Sequence, residues 1–314
     1  MSSRCSLRPP SAPELGARVV LLCLSVVSSA CLGTSTRVLD DGPSSSVPPD
    51  SSSPETEPSA SRAWDPPWQR HTPHWTFETD HSSELADRVA IALEDAYQAF
   101  AAHFGRRPLG TSAMRVLGFK AFPDYRAYCE RVGAPGQLAA TGFAPSEAGT
   151  CVCWDKHDDA DHFLGTLIHE ACHLYYVEST RRSAPSWLAE GMATYFEGFD
   201  ADAHGHLRFH HRPRARLATL RKLLARGTAM SLHDLVHLEA NALINRDPQR
   251  ALAFYAASWG YYYFFHTHPN LAWRQGFARY VAETERGVAP DLERHLGTRL
   301  ETIDAELARF IARP

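Results

Sequence analysis

Two histidines and two glutamates, shared between neighbouring segments, have the types and spacing that metal chemistry needs. The segment LIHEACHLYY contains His169, Glu170 and His173. On a helix, residues four apart are offset by about 6 Å along the axis and about 40° around it, so both imidazoles can reach one ion. Two neutral imidazoles at this spacing suit zinc, and Glu170 lies close enough to take a proton from metal-bound water. The spacing therefore predicts a catalytic metal site.

A third protein ligand is expected in SWLAEGMATYFEG, which begins 13 residues after His173. Catalytic zinc has three protein ligands and one open position. Pro185 and Ser186 begin a second predicted helix, with Glu190 in its first turn. The apolar neighbours of Glu190 indicate a buried helix, in which a carboxylate without a partner is costly. We expect Glu190 to be the ligand; Glu197 is its rival, but its place late on the helix indicates an exposed side chain.

HEACH followed by WLAEG resembles the gluzincin clan, in which HExxH lies on one helix and the third ligand, a glutamate, on the next. The early strand and long helix, the small sheet before HExxH and the late YAASWGYYYFF helix resemble the peptidase-MA-like group of secreted bacterial metallopeptidases, over roughly residues 74–267. The resemblance implies a zincin-like fold. It also implies the roles that the spacing predicts, with His169, His173 and Glu190 as metal ligands and Glu170 as the base. This chain departs from the thermolysin pattern at Thr194, where thermolysin has an aspartate that supports a metal ligand.

Peptidases of this kind need a donor for the oxyanion that forms at the attacked carbonyl group. The candidates in FYAASWGYYYFFH are Tyr255, Tyr261, Tyr262, Tyr263 and His266. Resemblance to aminopeptidase-like relatives favours Tyr255; the alternative is that this aromatic helix only builds the core. Such enzymes also pair extended substrate with an edge strand above the metal. TCVCW, residues 150–154, is predicted to be that strand.

Other polar clusters are predicted to be solvated, not metal-binding. DKHDDADH, residues 155–162, is interpreted as a loop in which Asp161 caps the next helix. The histidines of a later polar stretch are interpreted in the same way: His204, His206, His210 and His211. Cys172 lies inside HEACH but has no base of its own, so we do not predict a nucleophile there.

The first thirty residues have the layout of an export signal. Basic residues precede an apolar run over residues 19–27, which is far shorter than the roughly 20 residues of a membrane-spanning helix. Ser28 and Ala30 fit ordinary cleavage, whereas Cys31 directly after Ala30 resembles a bacterial lipoprotein junction, with a lipid anchor on Cys31. Both interpretations stay open. Residues 1–30 therefore predict a secreted or envelope-anchored protein.

The rest of the chain divides into a tether and one domain. Residues 31–67 are rich in serine and proline and poor in large apolar residues, which predicts a disordered tether. Residues 68–314 are expected to form a zincin-like domain. Its first half mixes strands and helices, and the predicted helices of the second half are 161–178, 186–198, 212–226, 249–267, 270–284 and 299–312. Strands before helices favour an α+β fold over a parallel βαβ sheet.

Composition limits the classes of function. The chain has 32 basic and 36 acidic residues and a formal charge of -4, so it has no single-sign field that would favour nucleic acid. Apolar residues make up 44 % of the chain, enough for a substantial core. Outside the leader and its junction at Cys31, the cysteines are Cys129, Cys151, Cys153 and Cys172. A disulfide from Cys129 to Cys151 or Cys153 and four free, buried thiols are both open.

These features together predict a zinc-dependent hydrolase outside the cytoplasm. The expected activity is that of a metallopeptidase, in which Zn2+ polarises the peptide carbonyl and Glu170 is the general base. Two alternatives remain open: a non-catalytic envelope protein that keeps the scaffold for binding, and a zinc hydrolase of a non-peptide amide or ester. Glu170 favours catalysis, because a structural zinc needs no base.

Overall fold

A computed structural model describes residues 64–144, 149–238, 243 and 247–313. The predicted export signal, Cys31 and nearly all of the predicted tether lie outside these residues. The described part begins at Trp64, whose ring centroid lies 4.1 Å from that of Phe119. Within the described part, no helix combines the length and apolar character needed to cross a membrane.

The first half of the described chain is organised around a mixed sheet. Its strands are β1 (Trp68–His71), β2 (Trp75–Thr79), β3 (Met114–Phe119), β4 (Gly142–Phe143) and β5 (Thr150–Trp154). Their order across the sheet is β1-β2-β3-β5-β4. β2, β3 and β5 are parallel, whereas β1 and β4 run antiparallel to their neighbours. The sheet therefore has a parallel centre and two antiparallel edges.

Helices separate and follow these strands. They are α1 (Ser83–Phe104), α2 (Phe122–Arg131), α3 (Ala160–Thr180), α4 (Ser186–Phe196), α5 (Arg214–Ala225), α6 (Leu232–His237), α7 (Pro248–Thr267), α8 (Leu271–Glu285), α9 (Leu292–Leu296) and α10 (Leu300–Ala312). A short 3₁₀ helix, Pro135–Ala139, leads into β4. The helices predicted between residues 161 and 312 all form, with ends within two residues of the prediction.

The α+β class with a small sheet in the first half is confirmed, although the sheet contains a parallel βαβ unit that the order of strands before helices did not predict. α1 connects β2 to β3, and the two strands are parallel in register from Trp75 with Met114. A crossover of this length is what parallel neighbours require, since a tight turn can join only antiparallel strands. Ser82 begins α1 by accepting a hydrogen bond from the Leu85 backbone N–H, and Gly105 ends it in the left-handed region at φ 63°.

The second half was predicted to consist of helices, but it also contains two strands. A two-stranded hairpin, β6 (Phe199–Ala201) and β7 (Leu207–Phe209), follows α4 directly. Asp202 stabilises its turn by accepting hydrogen bonds from the backbone N–H groups of His204 and His206. The polar residues of this segment therefore build a turn, which agrees with the solvated interpretation and explains why no apolar pattern revealed the strands.

The core lies on both faces of the sheet. Alternation along β5 sends Cys151 and Cys153 into the larger core with α1 and α3, and Val152 into a smaller one under α2. These cysteines, Cys129 and Cys172 are all free and buried. Of the two interpretations left open, the structure therefore has the free thiols.

A close contact between α4 and α7 sets the position of α4 in this core. Gly191 faces the backbone of α7, and a Cβ atom added there would lie 2.8 Å from the Ser258 carbonyl oxygen. Backbone cannot move as a flexible side chain can. The absence of a side chain at Gly191 therefore allows α4 to approach α7. This close approach sets the direction in which the opposite face of α4 points.

We predict that Gly191→Ala destabilises the protein, because the added methyl group overlaps the α7 backbone. The free energy of unfolding should fall by about 1–3 kcal/mol, measured by chemical denaturation. Gly165→Ala is the matched control, since Gly165 is also helical but has no atom within 4 Å of the added Cβ. The control should gain about 0.5–1 kcal/mol from helix propensity. Equal effects of both substitutions would contradict the prediction.

Candidate metal centre

The α3 helix holds three of the predicted site residues in the protein interior. Asp159 begins the helix, because its carboxylate accepts hydrogen bonds from the backbone N–H groups of Asp161 and His162. Asp161 was predicted to be this cap and instead lies in the first turn. Two turns further on, His169 and Glu170 are fully buried and His173 is 3 % exposed. Polar side chains this deep must have partners to offset their lost hydration.

Glu190 reaches the same place from α4. It lies in the second turn of that helix, not in the first as predicted, and its exposure is 0 %. A carboxylate on the solvated start of a helix would be exposed, so Glu190 is not such a group. Trp187 and Met192, also buried, flank it in sequence. The sequence prediction that α4 is a buried helix is confirmed.

His169, His173 and Glu190 converge on one point. The two Nε2 atoms lie 3.1 Å apart, and Oε2 of Glu190 lies 3.2 Å from Nε2 of His169 and 3.7 Å from Nε2 of His173. Four-coordinate zinc with bonds of 2.0–2.1 Å separates neighbouring ligand atoms by about 3.3 Å. The three atoms thus already form a triangle close to one face of a metal tetrahedron.

Glu197 fixes the orientation of the His169 ring. Its Oε1 lies 2.7 Å from Nδ1 of His169, and Arg216 on α5 binds both carboxylate oxygens at 2.9 Å. Because a carboxylate can only accept, Nδ1 of His169 donates to Glu197, and this bond directs Nε2 toward Glu190 and His173. The prediction that Glu197 is exposed is wrong; its side chain is only 13 % exposed. It is neither a surface group nor the third ligand.

The charges of the cluster are balanced within the protein. Burial disfavours ionised Glu190, but hydrogen bonds with His169 and His173 outweigh it and lower its pKa to about 2. Burial likewise opposes the charge of Glu197, which Arg216 and His169 overcome, so its pKa also falls to about 2. Burial opposes a charged His169, yet hydrogen bonds to both carboxylates raise its pKa to about 10. The centre of the cluster therefore attracts a cation, a proton or a metal ion.

The residues present fit a divalent metal ion. Oε1 of Glu190 is buried and has no hydrogen-bond partner in the described part of the chain. Three donors from two helices, with one unused carboxylate oxygen, are typical of zinc or a similar transition metal. Among the described residues, His169, His173 and Glu190 form the one group of three such side chains arranged to hold an ion. The loop histidines discounted above form no comparable group there.

Glu170 lies between α3 and the edge strand β4. A Cβ atom added at Gly142 would lie 2.7 Å from Cγ of Glu170 and 2.9 Å from its Oε1. Glycine at this position therefore makes room for the carboxylate. The predicted edge strand, residues 150–154, is β5, which is paired on both sides with β3 and β4, so that prediction is wrong. The edge strand beside the cluster is the two-residue β4.

Tyr255 is the predicted donor that the fold brings to the cluster. Its ring centroid lies 6.3 Å from that of His169, and the Arg216 guanidinium lies 5.2 Å from the same ring. Two rival tyrosines are engaged elsewhere: Tyr261 donates to Asp304, and the hydroxyl of Tyr262 lies 2.7 Å from Nε2 of His103. Tyr255 therefore lies in the core and close to His169, a predicted metal ligand.

Sequence reasoning missed the pair of Glu197 and Arg216. One signal was available: Glu197 follows Glu190 by seven residues, which is two helical turns, so both carboxylates leave α4 on one side. Thr194, the position of the thermolysin aspartate, is buried, but its hydroxyl oxygen has no hydrogen-bond partner among the described residues. In this structure the carboxylate that supports His169 is that of Glu197. Nothing local marked Arg216, which only packing brings to this site.

We predict that Glu197→Gln weakens metal binding about 10-fold, because the amide loses the charge that holds Nδ1–H of His169 and balances Arg216. Competition with a chromophoric chelator measures the affinity. Glu78→Gln is the control, since Glu78 forms a two-point pair with Arg115 on the sheet, in which Nε and Nη2 of Arg115 bind its two oxygens at 2.5 and 2.7 Å. An equal loss of affinity in both variants would mean that Glu197 acts only through general stability.

Comparison with known proteins places the cluster within one matched stretch. Residues 163–286 match the model of a family described as "Protein of unknown function (DUF1570)". No curated protein matches the chain significantly. The matched stretch runs from α3 through α8 and contains His169, His173, Glu190 and Glu197. The chain is thus similar to this family over the helices that build the candidate metal centre.

Proposed function

We propose that the protein is a zinc metallopeptidase of the gluzincin type, with a zincin-like fold. One observation carries the proposal: ligand atoms of His169, His173 and Glu190 converge within 3.1 to 3.7 Å, and the helix that supplies both histidines also supplies Glu170. A site built only to bind metal needs no further carboxylate beside its ligands. The combination of three ligands and an adjacent carboxylate supports hydrolysis.

Each protein group has a defined task in this proposal. Zinc, when bound by His169, His173 and Glu190, acts as a Lewis acid and lowers the pKa of water. The Glu170 carboxylate takes the proton from the attacking water and delivers it to the leaving nitrogen. The bond from Nδ1 of His169 to Glu197 holds the ring with Nε2 toward Glu190 and His173, where Nε2 would bind the ion with release of its proton.

Tyr255 is proposed to stabilise the negative oxygen that develops on the attacked carbonyl group. A phenol can donate a hydrogen bond to such an oxygen in a buried site, where the bond is stronger than in water. The nearby Arg216 guanidinium favours negative charge in this region. Proximity to His169 supports this role for Tyr255 over its neighbours Tyr261 and Tyr262, whose hydroxyl groups have partners elsewhere.

A peptide is the proposed substrate because the sheet ends beside Glu170. β4 is the edge strand of the described sheet, and Gly142 of that strand packs against the carboxylate. An extended peptide can add to such an edge through its backbone, which would bring a peptide bond next to the base. An ester or a non-peptide amide would make no comparable use of the edge. Export is proposed from the first thirty residues, with a lipid anchor on Cys31 as one route.

We predict that Glu170→Gln abolishes hydrolysis but preserves the metal site. The amide cannot accept the proton, so turnover of casein or of a peptide library should fall at least 100-fold. Metal analysis should still give one zinc per chain, because Glu170 is not a ligand. Glu178→Gln, on the same helix and similarly buried, is the control and should keep its activity. Wild-type protein that binds zinc but cleaves neither peptides nor simple amides and esters would instead favour a non-catalytic binding protein.

We predict that Tyr255→Phe lowers kcat about 100-fold while zinc affinity changes little. The substitution removes one hydrogen-bond donor from the developing oxyanion and keeps the aromatic ring in the core. Steady-state kinetics and chelator competition measure the two effects. Tyr263→Phe, on the same helix and packed against Trp259 and Phe310, should leave kcat unchanged. A normal kcat for Tyr255→Phe would assign Tyr255 to the core alone.

A further inference from the structure

A second concave site lies apart from the metal cluster. It is a cavity of about 420 Å³ between the end of α1 and the helices α4, α7 and α8. None of the proposed metal ligands lines it. Met192, which does, follows Glu190 by two residues and so leaves α4 on nearly the opposite side. Ligand cavities in proteins commonly have volumes of roughly 300–1000 Å³, and this one falls in that range.

The inner wall of this cavity is apolar and buried. Met192, Tyr262, Phe265 and Phe277 line it, each no more than 3 % exposed. The rings of Phe265 and Phe277 are stacked with their centroids 4.6 Å apart. A hydrocarbon or aromatic group inserted here would leave water for a surface of similar character, which is favourable in proportion to the apolar area buried. The inner wall therefore suits the apolar body of a ligand.

The mouth of the cavity is polar and carries one unbalanced positive charge. Arg274 and Gln275, both exposed, line it beside Leu271, which is 58 % exposed. The other guanidinium at the cavity, Arg106, is neutralised by Glu285 at 2.5 Å. Within the described residues, no carboxylate lies within ion-pair distance of Arg274. The mouth therefore attracts a single negative charge.

A buried imidazole also faces this region without a protein partner. Nε2 of His266, one of the lining residues, is buried and has no hydrogen-bond partner among the described residues. Its neighbour His103 is satisfied by Tyr262. Burial lowers the pKa of His266 to about 4, so the ring is neutral at pH 7 and adds no charge. A neutral ring can still exchange one hydrogen bond with a polar ligand atom.

We propose that this cavity binds a small organic monocarboxylate whose apolar body lies against Phe265 and Phe277 and whose carboxylate pairs with Arg274. The volume falls in the range of small-molecule cavities, so the proposed ligand is a small organic molecule. A cation would be repelled by Arg274. A neutral alcohol would leave that charge without a partner. A medium-chain carboxylate satisfies the apolar wall and the charged mouth together.

Calorimetric titration of the full-length protein tests this proposal with three probes of equal chain length: octanoate, 1-octanol and octylammonium. We expect octanoate to bind one site at pH 7, at least 10-fold more tightly than the other two. Arg274→Gln should weaken octanoate binding about 10-fold, because a charge-assisted hydrogen bond is lost. Arg279→Gln is the matched control, since Arg279 is another exposed arginine of α8 and does not line the cavity.

A variant that fills the cavity tests its location. Ala278 is exposed and lines the cavity, so Ala278→Trp places a large ring inside it without removing a core contact. Octanoate binding should be lost while zinc content and the thermal unfolding midpoint stay unchanged. The proposal is overturned if octanoate does not bind the wild-type protein, if the three probes bind equally, if both arginine variants weaken binding alike, or if Ala278→Trp still binds. Because zinc content is measured separately, none of these results bears on the metallopeptidase proposal.

Discussion

Glu190 is a carboxylate with no exposed surface, held in the interior against two imidazole rings. An ionised carboxylate loses much of its hydration energy on burial, so the fold can keep it charged only with positive charge or strong donors around it. Removing either imidazole would leave the carboxylate with too little compensation. The packing of α3 against α4 and the charge of this cluster therefore depend on each other, and a divalent cation would satisfy both at once.

The same constraint extends outward from the cluster through hydrogen bonds. His169 uses one ring nitrogen toward Glu190 and the other toward Glu197, and Glu197 in turn is held by the buried Arg216. Each charge is thus adjacent to one of opposite sign. The series runs from Glu190 on α4 to His169 on α3, and then to Glu197 at the end of α4 and Arg216 on α5. Because every member is buried or nearly so, the arrangement is rigid at a place where a metal ligand needs a fixed direction.

Local patterns predicted the parts of this site that local sequence determines. Four-residue spacing on one helix is enough to place His169 beside His173, and a buried amphipathic context is enough to identify Glu190. The helix ends were predicted well for the same reason, because caps and periodicity are local. The parallel pairing of β2 with β3 and the role of Arg216 depend on packing between distant segments. Such contacts leave no periodic trace in the chain, so the sequence interpretation missed both.

Glu197 shows how a residue whose place in the sequence predicts exposure can be largely buried in the fold. By sequence it stands at the end of a helix before Gly198, where a charged side chain is usually solvated. The tertiary fold places α5 over that helix end and brings Arg216 to within 2.9 Å of both carboxylate oxygens. A buried guanidinium needs a partner as much as a buried carboxylate does. Neither charge would be stable here alone, so Glu197 and Arg216 form one unit. This unit acts on the candidate metal centre through the hydrogen bond that Nδ1–H of His169 donates to Glu197.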